Sequence, residues 1–116
     1  MKVLRIVPTM KVRSLEAAKA FYVDILGLEN LMDHGWIITY GSDSKTNVQI
    51  SFATQGGSGT DVPNFSIEVD DLDTALFKMK EAGFKIEYGP VNEPWGVRRF
   101  YVRDPFDNLV NILSHV

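Results

Sequence analysis

The sequence predicts an α+β fold in which two tandem βαβββ modules form a concave, eight-stranded half-barrel arrangement. Each half of the 116-residue chain reads as one strand, one helix and three further strands. The two helices open alike, as Leu15-Glu16-Ala17-Ala18 and Leu72-Asp73-Thr74-Ala75, and their offset (72 − 15 = 57) is close to half the chain. We therefore expect a single domain, residues 1–116, with a first module at 1–53, a Gly-rich linker at 54–61 and a second module at 62–116.

The first module follows from the order of its hydrophobic patterns. Apolar and polar residues alternate over Val3–Val12, as in a strand, and Ser14 can cap the helix that follows. Apolar residues of that helix recur at i, i+3 and i+4 until Gly27 ends it. Three strand-like runs come next, at Leu28–Met32, Trp36–Tyr40 and Val48–Ala53.

The second module repeats this order. After an alternating strand around Phe65–Val69, Asp70 or Asp71 can cap a helix that Gly83 ends. Three strand-like runs follow, at Phe84–Tyr88, Val97–Arg103 and Leu109–Leu113. A half of about 55 residues is too small to be stable alone, so we expect the two sheets to curl together around a cavity, within one chain or in a dimer.

Composition excludes several classes of function. The formal net charge of −3 argues against a nucleic-acid-binding protein, which would carry a basic surface. The absence of cysteine excludes disulfides, thiolate zinc sites, iron–sulfur clusters and a cysteine nucleophile. No apolar run approaches the ~20 residues of a membrane span, and the start is too charged for a signal peptide. We expect a cytoplasmic protein with no membrane partner.

Two stretches resemble the vicinal-oxygen-chelate superfamily of glyoxalases, bleomycin-resistance proteins and extradiol dioxygenases. Residues 12–28 are similar to its first helix, and residues 94–105, with Trp95-Gly96 and Arg103-Asp104-Pro105, are closest to the bleomycin-resistance branch. The similarity covers nearly the whole chain. It implies the fold given above and a homodimer, because proteins of this superfamily often pair their modules across two chains.

The same resemblance predicts where a metal would bind. Enzymes of the superfamily hold a divalent metal with His, Gln or Glu on the first and last strands of each half. The corresponding positions here are Val7, Gln49 (or Ser51 in a shifted register), Asn64 and Asn111. This set has no imidazole and no carboxylate, so we predict a metal-free cavity with no cofactor.

Other polar candidates are few. His34 lies in a predicted turn and His115 near the end of the sequence, so both are expected in solvent rather than on a metal. Glu68 shares the strand phase of Asn64 and reads as a charge at the cavity rim rather than a catalytic base. Arg98, Arg99 and Arg103 crowd one strand; they fit either an anion clamp or, more simply, a solvated face paired with Asp104 or Asp107.

Aromatic residues supply the predicted ligand contacts. Trp36, Tyr40, Trp95 and Tyr101 are candidates to line the cavity, since aromatic rings in a concave site stack planar ligands. Each tryptophan fits a dimer interface equally well. Phe52, Phe65 and Phe100 are expected in the core under the helices, because their neighbours in strand phase are apolar.

Three hypotheses of function follow. The first is a binding protein that sequesters an amphipathic or aromatic small molecule in a metal-free dimer cavity, with the acidic balance favouring a cationic ligand. The second is an enzyme of the same superfamily, of lyase, isomerase or dioxygenase type, with an atypical or absent metal site. The third is a dimer whose cavity is filled by its own side chains. The predicted ligand-binding residues are Val7, Trp36, Tyr40, Gln49, Asn64, Glu68, Trp95, Tyr101 and Asn111.

Overall fold

The computed structural model describes residue 8 and the ranges 12–36, 38–42 and 54–116. The strands predicted at Val3–Val12 and Val48–Ala53 therefore lie almost wholly outside the described residues. So do Val7, Gln49 and Phe52.

The second module is a four-stranded sheet with one helix. Strand β3 (Phe65–Glu68) leads into helix α2 (Leu72–Glu81), and strands β4 (Ile86–Glu93), β5 (Val97–Arg103) and β6 (Leu109–His115) follow. The strand order is β3-β6-β5-β4, with β3 parallel to β6 and the other neighbours antiparallel. This is the predicted βαβββ order, and it places β6 and β5 in the middle of the sheet.

Helix α2 begins and ends as its sequence predicts. The Asp71 side chain accepts a hydrogen bond from the Thr74 N–H at 3.1 Å, which satisfies one of the free donors of the first turn. Gly83 follows the helix with a φ of 85°, a conformation that side chains disfavour. The apolar stripe of α2 is buried against the sheet through Leu72, Ala75 and Met79.

The first module contributes a helix and a two-stranded sheet. Helix α1 (Leu15–Lys19) continues as a π-helical segment, Ala20–Ile25. Strands β1 (Glu29–Asp33) and β2 (Ile38–Gly41) pair antiparallel beyond it. The described strands thus form two sheets, and the predicted α+β fold class is confirmed.

The two helices share one core over the second sheet. Phe21 and Tyr22, from the π-helical segment, are buried, and their rings contact Phe84 and Phe65 at centroid distances of 5.2 and 6.3 Å. Phe100 is fully buried in the same cluster. Residues in the opposite strand phase lie on the other face of the sheet, which we call the concave face: Ser66, Arg99, Tyr101 and Asn111.

The Gly-rich segment at 54–61 contains a hydrogen-bonded turn. The Gly56 N–H donates to the Thr60 carbonyl at 2.8 Å, and the Thr60 N–H donates to the Gly57 carbonyl at 3.0 Å. This turn packs on the concave face, where Thr60 and Tyr101 hydroxyl oxygens lie 3.1 Å apart. Among the described helices, none has the length and apolarity needed to span a membrane.

Candidate functional site

A large cleft lies between helix α1, the β1–β2 hairpin and strand β3. Its volume is about 840 Å³, within the range of small-molecule sites. We call it the hairpin cleft. Aromatic and aliphatic side chains form most of its described wall, including Tyr22, Leu28, Trp36, Ile38, Tyr40, Phe65, Ile67 and Phe106. The cleft lies on the helix side of the second sheet, because Phe65 and Ile67 also belong to the core edge under the helices.

One polar pair forms part of the cleft wall. The Tyr22 hydroxyl donates to Asp104 Oδ2 at 2.7 Å, and both residues are buried. Burial, together with this hydrogen bond and the neighbouring Asp104 charge, raises the pKa of Tyr22 far above its usual value of 10.0. The phenol therefore keeps its proton and acts as a hydrogen-bond donor, not as an acid near neutral pH.

The Asp104 carboxylate is fully hydrogen-bonded. Its Oδ1 accepts the N–H groups of Phe106 and Asn108, each at 2.9 Å. Its Oδ2 accepts the Tyr22 hydroxyl and the Asn108 side-chain amide, at 2.7 and 2.9 Å. A carboxylate has about four lone-pair sites, so these donors fasten the β5–β6 turn to the π-helical segment that carries Tyr22 and leave Asp104 little capacity for a ligand.

The concave face carries a buried ion pair. Arg99 Nη2 lies 2.6 Å from Glu93 Oε2, and the two side chains are 4% and 2% exposed. Arg99 also donates to the Tyr101 hydroxyl at 3.0 Å and to the Gly57 carbonyl at 3.3 Å. Ser58 donates to Glu93 Oε1 at 3.0 Å. The pair thus joins the sheet to the 56–61 turn.

Three aromatic rings surround the Arg99 guanidinium. Its carbon lies 5.3 Å from the Tyr88 ring centroid and 5.0 Å from those of Trp95 and Tyr101. Rings at this distance attract a cation. We call this arrangement the Arg99 box: an aromatic cage whose cation is the chain's own side chain.

A smaller pocket lies beside the Arg99 box. Its volume is about 230 Å³, and Tyr88, Tyr101, Thr60 and Arg103 contribute to its wall. Arg103 is paired with Glu87 at 2.8 Å. This pocket is therefore much smaller than the hairpin cleft.

The structure divides the predicted ligand-binding residues between several places. Trp36 and Tyr40 line the hairpin cleft, whereas Tyr101 lines the small pocket and Trp95 covers Arg99. Glu68 is exposed and contacts His115. The remaining two described candidates are Asn64, which directly precedes β3, and Asn111, which lies on β6 opposite Ser66.

The two described metal positions do not fit a divalent cation. Asn64 Oδ1 already accepts the Leu109 N–H at 2.8 Å. Asn111 donates from its amide nitrogen to Ser66 at 3.1 Å, and its buried oxygen has no hydrogen-bond partner within the described structure. Two neutral amides are poor ligands for such an ion. Over the described ranges, no group of three or more His, Asp or Glu side chains is placed to hold a metal.

Sequence reasoning missed the role of Arg99. The expectation of a solvated face paired with Asp104 or Asp107 holds only for Arg103, which lies 3.7 Å from Asp107. Arg99 is 3% exposed and pairs with Glu93 instead. Its burial depends on the 56–61 turn, which is distant in sequence. One feature of the sequence could have indicated the pair: Glu93 and Arg99 lie on adjacent antiparallel strands that flank a tight turn at Trp95-Gly96.

The chain belongs to the Glyoxalase/Bleomycin resistance protein/Dioxygenase superfamily, whose family model matches residues 5–112. This confirms the resemblance seen in the sequence. Curated protein sequences give no match.

Solved structures agree with this family. The antibiotic-binding protein TnmS3 from Streptomyces sp. CB03234 is 25% identical, with a TM-score of 0.65 over 90% of this chain and 89% of TnmS3. A member of the same superfamily from Sphaerobacter thermophilus DSM 20745 is 22% identical, with a TM-score of 0.66 over 99% and 98% of the two chains. TioX from Micromonospora sp. ML1 is 19% identical, with a TM-score of 0.57 over 87% of each chain. The last two likenesses bear on the fold alone.

Proposed function

We propose that this protein is a binding protein that sequesters an amphipathic or aromatic small molecule without a metal. One observation carries the proposal: the hairpin cleft, with a volume of about 840 Å³ and mainly apolar and aromatic walls. The likeness to an antibiotic-binding protein at 25% identity supports it. The ligand is proposed to lie against Trp36 and Tyr40.

The chemistry of the described cleft wall favours binding over catalysis. Tyr22 keeps its proton because its pKa is raised, and Asp104 is occupied by hydrogen bonds to its own neighbours. A general acid or base has to exchange protons near the working pH. Neither residue is placed to do so.

A homodimer is part of the same proposal. Leu31 and Trp36, on and beside the β1–β2 hairpin, are 54% and 78% exposed. Large exposed apolar side chains are common at interfaces. Sedimentation velocity is expected to give a dimer; a monomer over the micromolar range would contradict this part.

Binding is tested with a neutral aromatic probe, N-phenyl-1-naphthylamine, titrated by its fluorescence. We expect saturable binding that Trp36→Ala weakens several-fold, because the indole is part of the cleft wall. Trp95→Ala is the matched control, since Trp95 covers Arg99 on the concave face. Loss of binding in Trp95→Ala but not in Trp36→Ala would move the site to the concave face and overturn the assignment to the cleft.

The same titration tests the other predicted ligand residues. Asn64, Glu68, Tyr101 and Asn111 remain predictions, and a ligand on the concave face would make substitution of each to Ala weaken binding. Elemental analysis of the purified protein tests the metal. A stoichiometric divalent ion, with a raised melting temperature on adding it, would favour the enzymatic alternative.

A further inference from the structure

The described wall of the hairpin cleft carries one charge that the fold neutralises and one that it does not. Of the described residues that line it, two are charged, Arg13 and Asp104. The Asp104 carboxylate accepts hydrogen bonds from Tyr22, Phe106 and Asn108 at both of its oxygens. Its negative charge is therefore already compensated by donors that the fold supplies.

Arg13 has no such compensation within the described part of the chain. It is exposed, directly precedes the Ser14 cap position of α1, and is engaged there in no ion pair or hydrogen bond. Every other described arginine has a carboxylate partner: Arg98 pairs with Asp73, Arg99 with Glu93, and Arg103 with Glu87 and Asp107. Arg13 thus adds an unneutralised positive charge to the edge of an apolar cavity.

We propose that the hairpin cleft binds an aromatic anion, a carboxylate or sulfonate, with its rings against Trp36 and Tyr40 and its charged group on Arg13. A guanidinium presents N–H donors in a planar fork that matches two oxygens of such a group. The inference rests on the proposed function and specifies the ligand class for the same cleft. It reverses the expectation of a cationic ligand. That expectation rested on the net charge of −3 of the whole chain, whereas a ligand in the cleft meets the local positive charge of Arg13.

Two matched fluorescent probes test the charge. 8-Anilinonaphthalene-1-sulfonate carries the anilinonaphthalene rings of N-phenyl-1-naphthylamine with one added sulfonate. We expect the sulfonate probe to bind more tightly than the neutral one, by roughly fivefold for one exposed ion pair. Raised salt is expected to remove much of this difference, since Arg13 is exposed.

Substitution at Arg13 locates the effect. Arg13→Met keeps the aliphatic stem and removes the charge, so it should weaken binding of the sulfonate probe roughly fivefold and leave that of the neutral probe within about twofold. Lys85→Met is the control, because Lys85 is an exposed cation between α2 and β4 that does not line the cleft. Arg13→Lys should retain part of the preference as a point charge.

The outcomes separate the two proposals. Equal affinity for both probes, unchanged by Arg13→Met, would overturn the anion assignment and leave a neutral-ligand cleft. Sulfonate binding that Trp36→Ala does not weaken would also overturn it, since the probe would then lie outside the cleft. Failure of both probes to bind would remove the proposed function itself.

Discussion

Two regions of the molecule collect aromatic side chains, and they use them in opposite ways. In the Arg99 box, three rings surround a cation that belongs to the chain and is paired with Glu93. In the hairpin cleft, rings such as Tyr40 and Phe65 border an open volume of about 840 Å³.

The difference shows that aromatic content does not by itself identify a ligand site. The Arg99 box has a partner for its charge and for the hydroxyl groups around it, so it reads as a brace between the sheet and the 56–61 turn. The hairpin cleft leaves Arg13 unpaired within the described ranges and has mainly apolar and aromatic walls. The Arg99 box and the hairpin cleft thus differ in whether their charged groups already have partners within the described residues.

The largest expected effect on stability comes from breaking the ion pair of the Arg99 box. Glu93→Leu leaves the buried guanidinium unpaired and should lower the free energy of unfolding by about 3–5 kcal/mol in urea titrations. The double variant Glu93→Leu/Arg99→Met should recover much of this loss. Arg98→Met is the control, because its ion pair with Asp73 is exposed and worth less than about 1 kcal/mol. A Glu93→Leu effect as small as the control would refute the bracing role.

The next effect concerns the polar pair in the cleft wall. Tyr22→Phe removes one of the donors to the buried Asp104 carboxylate and should cost about 1–3 kcal/mol of unfolding free energy. Tyr40 lines the same cleft, but its hydroxyl has no hydrogen bond in the described structure. Tyr40→Phe should therefore lower the free energy of unfolding by no more than about 0.5 kcal/mol. Equal losses in the two variants would show that the Asp104 bond contributes nothing measurable.

A smaller effect on stability tests the contact between the 56–61 turn and Trp95. A Cβ added at Gly57, whose φ is +83°, would lie 2.6 Å from the Trp95 ring. Gly57→Ala should cost about 1–2 kcal/mol from the backbone alone and also shift Trp95 emission, measured in a Trp36→Phe background. Gly59→Ala has a similar φ of +76° and meets nothing within 4 Å, so it should cost stability without moving the emission. An unmoved spectrum in both would place the indole elsewhere.

The smallest effect lies outside both regions, at the start of α2. Hydrogen bonds from the Thr74 hydroxyl and N–H hold the pKa of Asp71 below its usual value of 3.8. The stability this adds is present above 3.8 and is lost as pH falls through the lowered folded value. Asp71→Asn should flatten that part of the acid unfolding curve, whereas Asp70→Asn should not. Identical curves for the two would contradict the capping role.

The sequence predicted the fold of the second module because its signals are local. Asp71 and Gly83 bound the helix, and strand alternation placed Phe100 towards the helices and Tyr101 on the other face. The linker composition at 54–61 gave no hint of the turn that covers Arg99, since that contact joins residues 42 positions apart.

The candidate site was less predictable for the same reason. The hairpin cleft combines side chains from α1, the β1–β2 hairpin, β3 and the β5–β6 turn. Tyr22 and Asp104 are 82 positions apart, and no periodic pattern relates them. Trp36 and Tyr40 were predicted because aromatic residues on a strand-like run can be read from the sequence. Arg13 was not, because its lack of a partner among the described residues is evident only from the fold.

The order of strands in the second sheet has a consequence for biosynthesis. Strand β6 is synthesised after every other described strand, yet it lies between β3 and β5. Strand β3 therefore leaves the ribosome before the strand that pairs with it. Phe65 and Ile67 gain their neighbours Val110 and Ile112 only when β6 arrives. Such non-local pairing is slow and exposes apolar surface meanwhile, so the edge of β3 is open to pairing with other chains until β6 reaches it.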